Sequence, residues 1–225
     1  ALLVAQAAQD VKAPDLRTGF KIIKEYPISG KPPMMTHVWE KDGGRRIIAC
    51  KGAVERILDI ADTDAAIRLK VLARTEEMAS QGYRVLGVAS AILEGGDFPK
   101  EQDDFKWKLE GLVAFFDPPK KNVAAVFKKF YQAGIRIIMI TGDYTATAKN
   151  IAGQTGLKGL EQCMTGEEVM ALSDKELRKT VQTVNVFARM FPDAKLRIVN
   201  ALKANGDTVA MSGDGVNDGP ALKSA

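Results

Sequence analysis

The chain has 225 residues, enough for one large domain or two small ones, and its 46% hydrophobic residues can build real cores. A net charge of +4 from 32 basic and 28 acidic residues, with no polybasic block, gives no argument for nucleic acid or a membrane surface as a partner. Cys50 and Cys163 lie far apart, with His37 the only histidine. They offer no metal-ligand spacing and read as reduced packing residues of a cytosolic compartment.

The opening "ALLVAQAAQD" reads as the middle of a helix without an N-cap, and Ala225 follows a helix that has barely begun, so we expect a piece of something longer. No apolar run approaches the ~18 to 20 residues of a membrane helix, and no signal sequence opens the chain. The first half predicts strands at "FKIIKEYPI", "MMTHVWEKDG", "RRIIACKG" and "RVLGVASAIL", with "KDGG" as a hairpin turn. "AIRLKVLARTEEMASQG" carries helical spacing and stops at Gly82. A largely antiparallel, helix-flanked α+β domain is expected over 1–116.

From "GLVAFFDPPKKNV" the pattern changes, and Asp117-Pro118-Pro119 reads as a domain hinge because two fixed φ angles interrupt both patterns. Beyond it come a helix at "NVAAVFKKFYQAG", a strand at "IRIIMI", a helix at "TATAKNIAGQTG" and a strand at "VNVFARM". A helix at "DAKLRIVNALKANG" and a strand at "TVAMS" complete the series. Such alternation predicts a doubly wound parallel sheet over 117–225, with ligands at the carboxyl ends of its strands.

Three of those strands run into polar clusters: Thr141-Gly142-Asp143, Phe191-Pro192-Asp193-Ala194-Lys195, and Gly213-Asp214-Gly215-Val216-Asn217-Asp218. A hydroxyl, a Lys, an Asn and carboxylates would converge there. Hard oxygen ligands suit Mg²⁺, and Thr141, Lys195 and Asn217 can face phosphate oxygens. The plainer alternative is that each cluster is a turn and that Asp218 caps the helix begun by Pro220. No P-loop is present, because Glu25 and Pro32 stand where "SGKPP" would need Gly and Ser or Thr.

The stretch "SGDGVNDGPAL", together with "MITGD", "DPPK" and "KGAVE", resembles the cytoplasmic head of the P-type cation-transporting ATPases over essentially the whole chain. The resemblance implies a haloacid-dehalogenase-like phosphorylation domain, its first strand missing, joined to an N-terminally truncated nucleotide-binding domain. It also implies an aspartyl-phosphate chemistry that uses ATP and Mg²⁺ at the cytoplasmic face of a membrane, taken as a bacterial plasma membrane. The transported cation would be handled by membrane helices outside this sequence.

By that resemblance Lys51 and Gly52 line the adenine pocket, with Glu25, Tyr26 and Ile28 beside it. Ile28 stands where the family usually has a stacking aromatic. Arg84 would reach the ATP phosphates, and Arg189 the ribose. Thr141, Gly142 and Asp143 would meet the transferring phosphoryl group and the nucleotide, and Lys195 would neutralise developing charge. Asp214 would ligate Mg²⁺ with Asp218 in support, and Asn217 would bond a phosphate oxygen. The family's "DKTGT", which supplies the phosphorylated Asp, is absent from these residues, so the fragment is expected to be inactive alone. Two other readings stay open: a free-standing phosphohydrolase of the same fold, and a nucleotide-binding module without chemistry.

Overall fold

The structure, a computed structural model, describes residues 19–30, 32–41, 44, 46–93, 97–213, 215 and 218–225. Contacts divide the chain into two compact units, one of Ala1–Glu77 with Val85–Phe115 and the other of Met78–Arg84 with Phe116–Ala225. Among the described residues, no helix is long and apolar enough to cross a membrane.

The first unit is built on a five-stranded sheet in simple sequence order: β1 (Phe20–Ser29), β2 (Met34–Lys41), β3 (Arg46–Gly52), β4 (Arg84–Ala91) and β5 (Trp107–Phe115). The pairs β1/β2, β2/β3 and β3/β4 are antiparallel. Period-2 alternation decides the faces: Met34, Thr36 and Val38 of β2 and Ile48 and Cys50 of β3 turn inward, while Met35, His37, Ala49 and Lys51 turn outward. Pro27 offers no N–H to a ladder, and it sits on the edge strand β1, whose register against β2 shifts between Tyr26 and Ser29. Helices α1 (Val54–Ile60) and α2 (Ala65–Ser80) follow β3.

Beneath the sheet, Tyr26, Phe105 and Trp107 form edge-on aromatic pairs within the core. Gln102, almost fully buried, has its polar groups satisfied. Its Oε1 accepts from Thr36 at 2.9 Å, its Nε2 donates to Ser29 Oγ at 2.7 Å and Met34 O at 3.2 Å, and its carbonyl accepts from Trp107 Nε1 at 2.9 Å. Orphaning any of these buried groups would cost about 1–3 kcal/mol. The network therefore pins the end of β1 to the start of β2.

The second unit alternates: α3 (Val123–Gln132), β6 (Met139–Ile140), α4 (Thr145–Thr155), β7 (Cys163–Thr165), α5 (Gly166–Ala171) and α6 (Asp174–Thr180) come first. Then follow β8 (Val186–Ala188), α7 (Pro192–Ala204) and α8 (Gly219–Ser224). The strands form a parallel sheet in the order β6-β8-β7. β8 is buried on both faces: Val186 and Ala188 pack with Ala148 and Ala152 of α4, and Phe187 packs with Val169, Leu177 and Ile198 of α5, α6 and α7. Thr165 with Glu168 and Ser173 with Glu176 form capping boxes that start the two short helices.

Three sequence expectations need correction. "GLVAF" belongs to β5 of the first sheet, so the change of pattern follows Phe115. Of "IRIIMI" only Met139 and Ile140 enter the ladder, and "TVAMS" is not a strand at all. Val209 still packs against the core formed by Phe187 and Ile198. Apolarity specifies burial, whereas a strand also needs a partner's carbonyls and amides, and this segment has none among the described residues.

Candidate functional site

In the second unit, Thr141 emerges from β6 with its N–H bonded to Phe187 O at 2.9 Å. Its hydroxyl donates to Asp143 Oδ2 at 3.1 Å and accepts from the Asp143 N–H at 3.1 Å, so Thr141-Gly142-Asp143 folds on itself as a tight turn. The turn is laced to the end of β8: Arg189 N–H donates to Asp143 O and Met190 N–H to Thr141 O, both at 2.9 Å. Arg84 approaches the same carboxylate, its Nε 3.4 Å from Asp143 Oδ1. Its side chain is well exposed, so this contact is worth no more than about 1 kcal/mol.

Two residues past Met190, Pro192 occupies the first turn of α7, and Lys195 follows on the next turn. A cation near a helix N-terminus opposes the helix dipole, so Lys195 needs a partner. It has one in Asp218, with Nζ 2.6 Å from Oδ1 and the two side chains only 12% and 11% exposed. Asp218 Oδ2 accepts from Gly215 N–H at 3.2 Å, while Asp218 N–H bonds Gly215 O at 2.9 Å. The Lys195 ammonium, and then the Gly215 amide, hold the Asp218 carboxyl below the usual carboxylate range against a smaller opposing effect of burial. The simple capping role is thereby corrected: the Asp218 side chain does not cap α8 but spans from Lys195 to the loop.

The Thr141–Asp143 turn is thus tied to the end of β8, and the cluster that follows β8 is tied to Asp218 through Lys195. Asp214 and Asn217 lie outside the described residues. Among the described residues no group of three or more His, Cys, Asp or Glu side chains could cage a metal.

In the first unit, Lys51 stands half-buried on the outward face of β3, paired across the sheet with Met35 and Val88. The neighbouring row is Glu25, His37, Ala49 and Ser90. Glu25 Oε2 meets His37 Nε2 at 3.1 Å. Gly52 turns to the buried side, where a Cβ would stand 2.5 Å from Met34 Cβ and 2.7 Å from Pro33 O. Packing alone therefore demands glycine there. Ile28, 67% exposed, is on the edge strand β1.

Sequence reading missed His37, Gln102 and Tyr144. Only Tyr144 had a signal, its position directly after Thr141-Gly142-Asp143. Its ring lies against the Arg189 guanidinium, 4.8 Å from centroid to Cζ.

A family model described as haloacid dehalogenase-like hydrolase matches residues 35–225. Calcium-transporting ATPase 1 of Saccharomyces cerevisiae is 37% identical over 93% of this chain and 24% of its own length. Probable cation-transporting ATPase F of Mycobacterium tuberculosis is 38% identical over the whole chain and 26% of its own length. Calcium-transporting ATPase of Bacillus subtilis is 35% identical over the whole chain and 27% of its own length. The chain spans about a quarter of the length of these curated relatives. It belongs to the haloacid dehalogenase-like hydrolase family, and within that family it is similar from end to end to the P-type cation-transporting ATPases.

Proposed function

We propose that the chain is the ATP-handling part of a membrane cation pump working at the cytoplasmic face. The unit on the five-stranded sheet holds the nucleotide. The unit on the parallel sheet moves the terminal phosphoryl group onto an Asp supplied by sequence outside these residues, so the fragment does not turn over ATP alone. The transported cation would bind elsewhere in the parent protein.

The observation that carries this reading is the Lys195–Asp218 bond, 2.6 Å long and nearly buried, beside a loop bonded to the Thr141–Asp143 turn. Phosphoryl transfer asks for positioned cations and donors more than for covalent chemistry from the protein. Asp218 holds the Lys195 ammonium in place. Lys195 offsets charge gathering on the phosphoryl oxygens, Asn217 donates to them, Thr141 does so once its hydroxyl turns from Asp143 Oδ2, and Asp143 and Gly142 border the nucleotide with Arg84 and Arg189. Within the first unit, Lys51 and Gly52 meet the adenine, with Glu25 and Ile28 beside them.

The donor set fits Mg²⁺, a hard cation suited to carboxylate oxygens. Each oxygen of Asp218 is already hydrogen bonded, so Asp214 would hold the ion directly and Asp218 would support it. When bound, Mg²⁺ supplies charge neutralisation at the phosphate oxygens. Titrating ATP without Mg²⁺ against the chain tests the nucleotide half. We expect weak binding that falls about tenfold in Lys51→Ala, the loss of one charge-assisted contact. Equal affinity in the two proteins would place the pocket elsewhere.

A further inference from the structure

Strand register sorts the outward face of the first sheet into two neighbouring rows. One crosses Met35 of β2, Lys51 of β3 and Val88 of β4, and the other crosses Glu25 of β1, His37, Ala49 and Ser90. Two residues of strand rise set the rows about 7 Å apart. The first row is apolar except for its lysine. The second is polar except for Ala49: Ser90 Oγ donates to Glu110 Oε1 at 2.6 Å, and Glu25 and His37 stand directly opposite each other with Oε2 and Nε2 3.1 Å apart.

An ionised carboxylate has no proton to give, so the hydrogen of the Glu25–His37 bond sits on the imidazole Nε2. His37, the chain's single histidine, has a side chain 24% exposed against 53% for Glu25, and its ring lies beside that of Trp39 with centroids 6.1 Å apart. The more enclosed partner thus steadies the more exposed one. His37 occupies one oxygen of Glu25, and the other has no hydrogen-bond donor among the described residues. An exposed ion pair adds little to stability. This one does set an acceptor at a fixed place beside the row of Lys51. Strands β1 and β3 lie about 10 Å apart with β2 between them, so a flat base resting on the adaptable Met35 thioether would have Lys51 on one side and Glu25 on the other.

We propose that Glu25, held by His37, reads the amino edge of the base and selects adenine over guanine. The proposal rests on the reading of this unit as the nucleotide holder. Adenine presents a 6-amino donor where guanine presents a 6-oxo acceptor. A carboxylate accepts from the first, whereas it has no hydrogen for the second and repels its oxygen. Glu25 is then the specificity residue, and His37 is a positioning residue that acts through it.

The experiment measures ATP and GTP affinity, without Mg²⁺, on the 225-residue chain as wild type, Glu25→Gln, His37→Ala, His37→Gln and the Glu25→Gln/His37→Ala double variant. The quantity read is the ratio of the two affinities, which a loss of stability alone does not move. Wild type should favour ATP by about ten-fold or more, the size of one charge-assisted contact. In Glu25→Gln the amide can accept from adenine or donate to guanine, so GTP should gain and the ratio should fall toward one. His37→Ala should lower the ratio about two- to five-fold, because Glu25 must then be immobilised as the base binds. His37→Gln keeps an N–H donor and should recover part of that loss. In the Glu25→Gln background, His37→Ala should change the ratio no further.

A wild-type chain that binds ATP and GTP alike, or an unchanged ratio in Glu25→Gln, would overturn the selection of adenine by Glu25 while nucleotide binding stands. An unchanged ratio in His37→Ala, or an undiminished effect of His37→Ala in the Glu25→Gln background, would overturn the positioning role of His37. A wild-type chain that binds neither nucleotide would overturn the nucleotide reading itself, and both roles with it.

Discussion

The two units place their candidate residues by opposite means. In the first, long antiparallel strands of seven to ten residues fix a face, and Lys51, His37 and Glu25 occupy it because strand period and register put them there. In the second, strands of two or three residues fix almost nothing by themselves. There the helices buried against β8 hold the sheet, and hydrogen bonds between the loops at the strand ends position Thr141, Asp143, Lys195 and Asp218. A face tolerates change at outward positions, whereas a knot of loops fails when one bond is cut. The units should therefore answer substitution differently.

The largest effect should come from cutting the knot. Lys195→Ala leaves the Asp218 carboxylate nearly buried without its cation, and the cost should be about 2–4 kcal/mol in chemical denaturation of the chain. Replacing both partners, as in Lys195→Met/Asp218→Leu, should recover part of that loss, because no orphaned charge remains. A Lys195→Ala chain as stable as wild type would mean that the bond does not hold the loops.

The first unit breaks at a different kind of point. Gly52→Ala drives a methyl into Met34 and the Pro33 carbonyl, so it should cost about 1–3 kcal/mol by overpacking. Lys51→Ala, one residue away on the outward face, should change stability by less than about 0.5 kcal/mol while weakening ATP about tenfold. Urea unfolding beside an ATP titration separates the two positions. If both variants lose stability equally, the distinction between buried and outward faces of β3 is wrong.

Acid sharpens the contrast. The folded chain keeps Asp218 ionised to a lower pH than the unfolded chain does, because Lys195 bonds the carboxylate. The unfolded chain therefore binds more protons as pH falls. The stability this pair contributes is fully present above the ordinary carboxylate value of about 4 and is lost as pH drops through the depressed one. Wild type should lose stability more steeply than Lys195→Ala below about pH 4, and parallel curves would remove the pair from the account. The smallest effect concerns the thiols. Burial pushes Cys50 up to about 12 and raises Cys163 as well. Both should react slowly with thiol reagents at neutral pH, with Cys50 the slower.

How much of this was legible in the sequence follows the same division. Strand alternation in β2 and β3 is written in the residues themselves, as are the helices that end at Gly134, Gly156 and Gly206, each left-handed in the structure. The capping boxes at "TGEE" and "SDKE" are equally local, but the sequence reading passed over them and over the two short helices they start. The failure of "TVAMS" to become a strand was not legible, because pairing depends on a partner the segment does not encode. For the site, motif spacing pointed to the three clusters. That Asp218 would spend its carboxylate on Lys195 rather than on its own helix is a contact across 23 residues, and no local pattern carries it. The same holds for Tyr144, whose ring meets Arg189 only after the sheet has formed.

The central claim is that nucleotide is held by the face of β3 while phosphoryl chemistry belongs to the knotted loops, so the two can be lost separately. The direct test is acid-stable phosphoenzyme formed from labelled ATP in the complete pump carrying Asp214→Asn, with ATP affinity read on the same protein. The account predicts that phosphoenzyme nearly disappears while ATP affinity stays within about two-fold of wild type. Phosphoenzyme forming at close to the wild-type rate would contradict it.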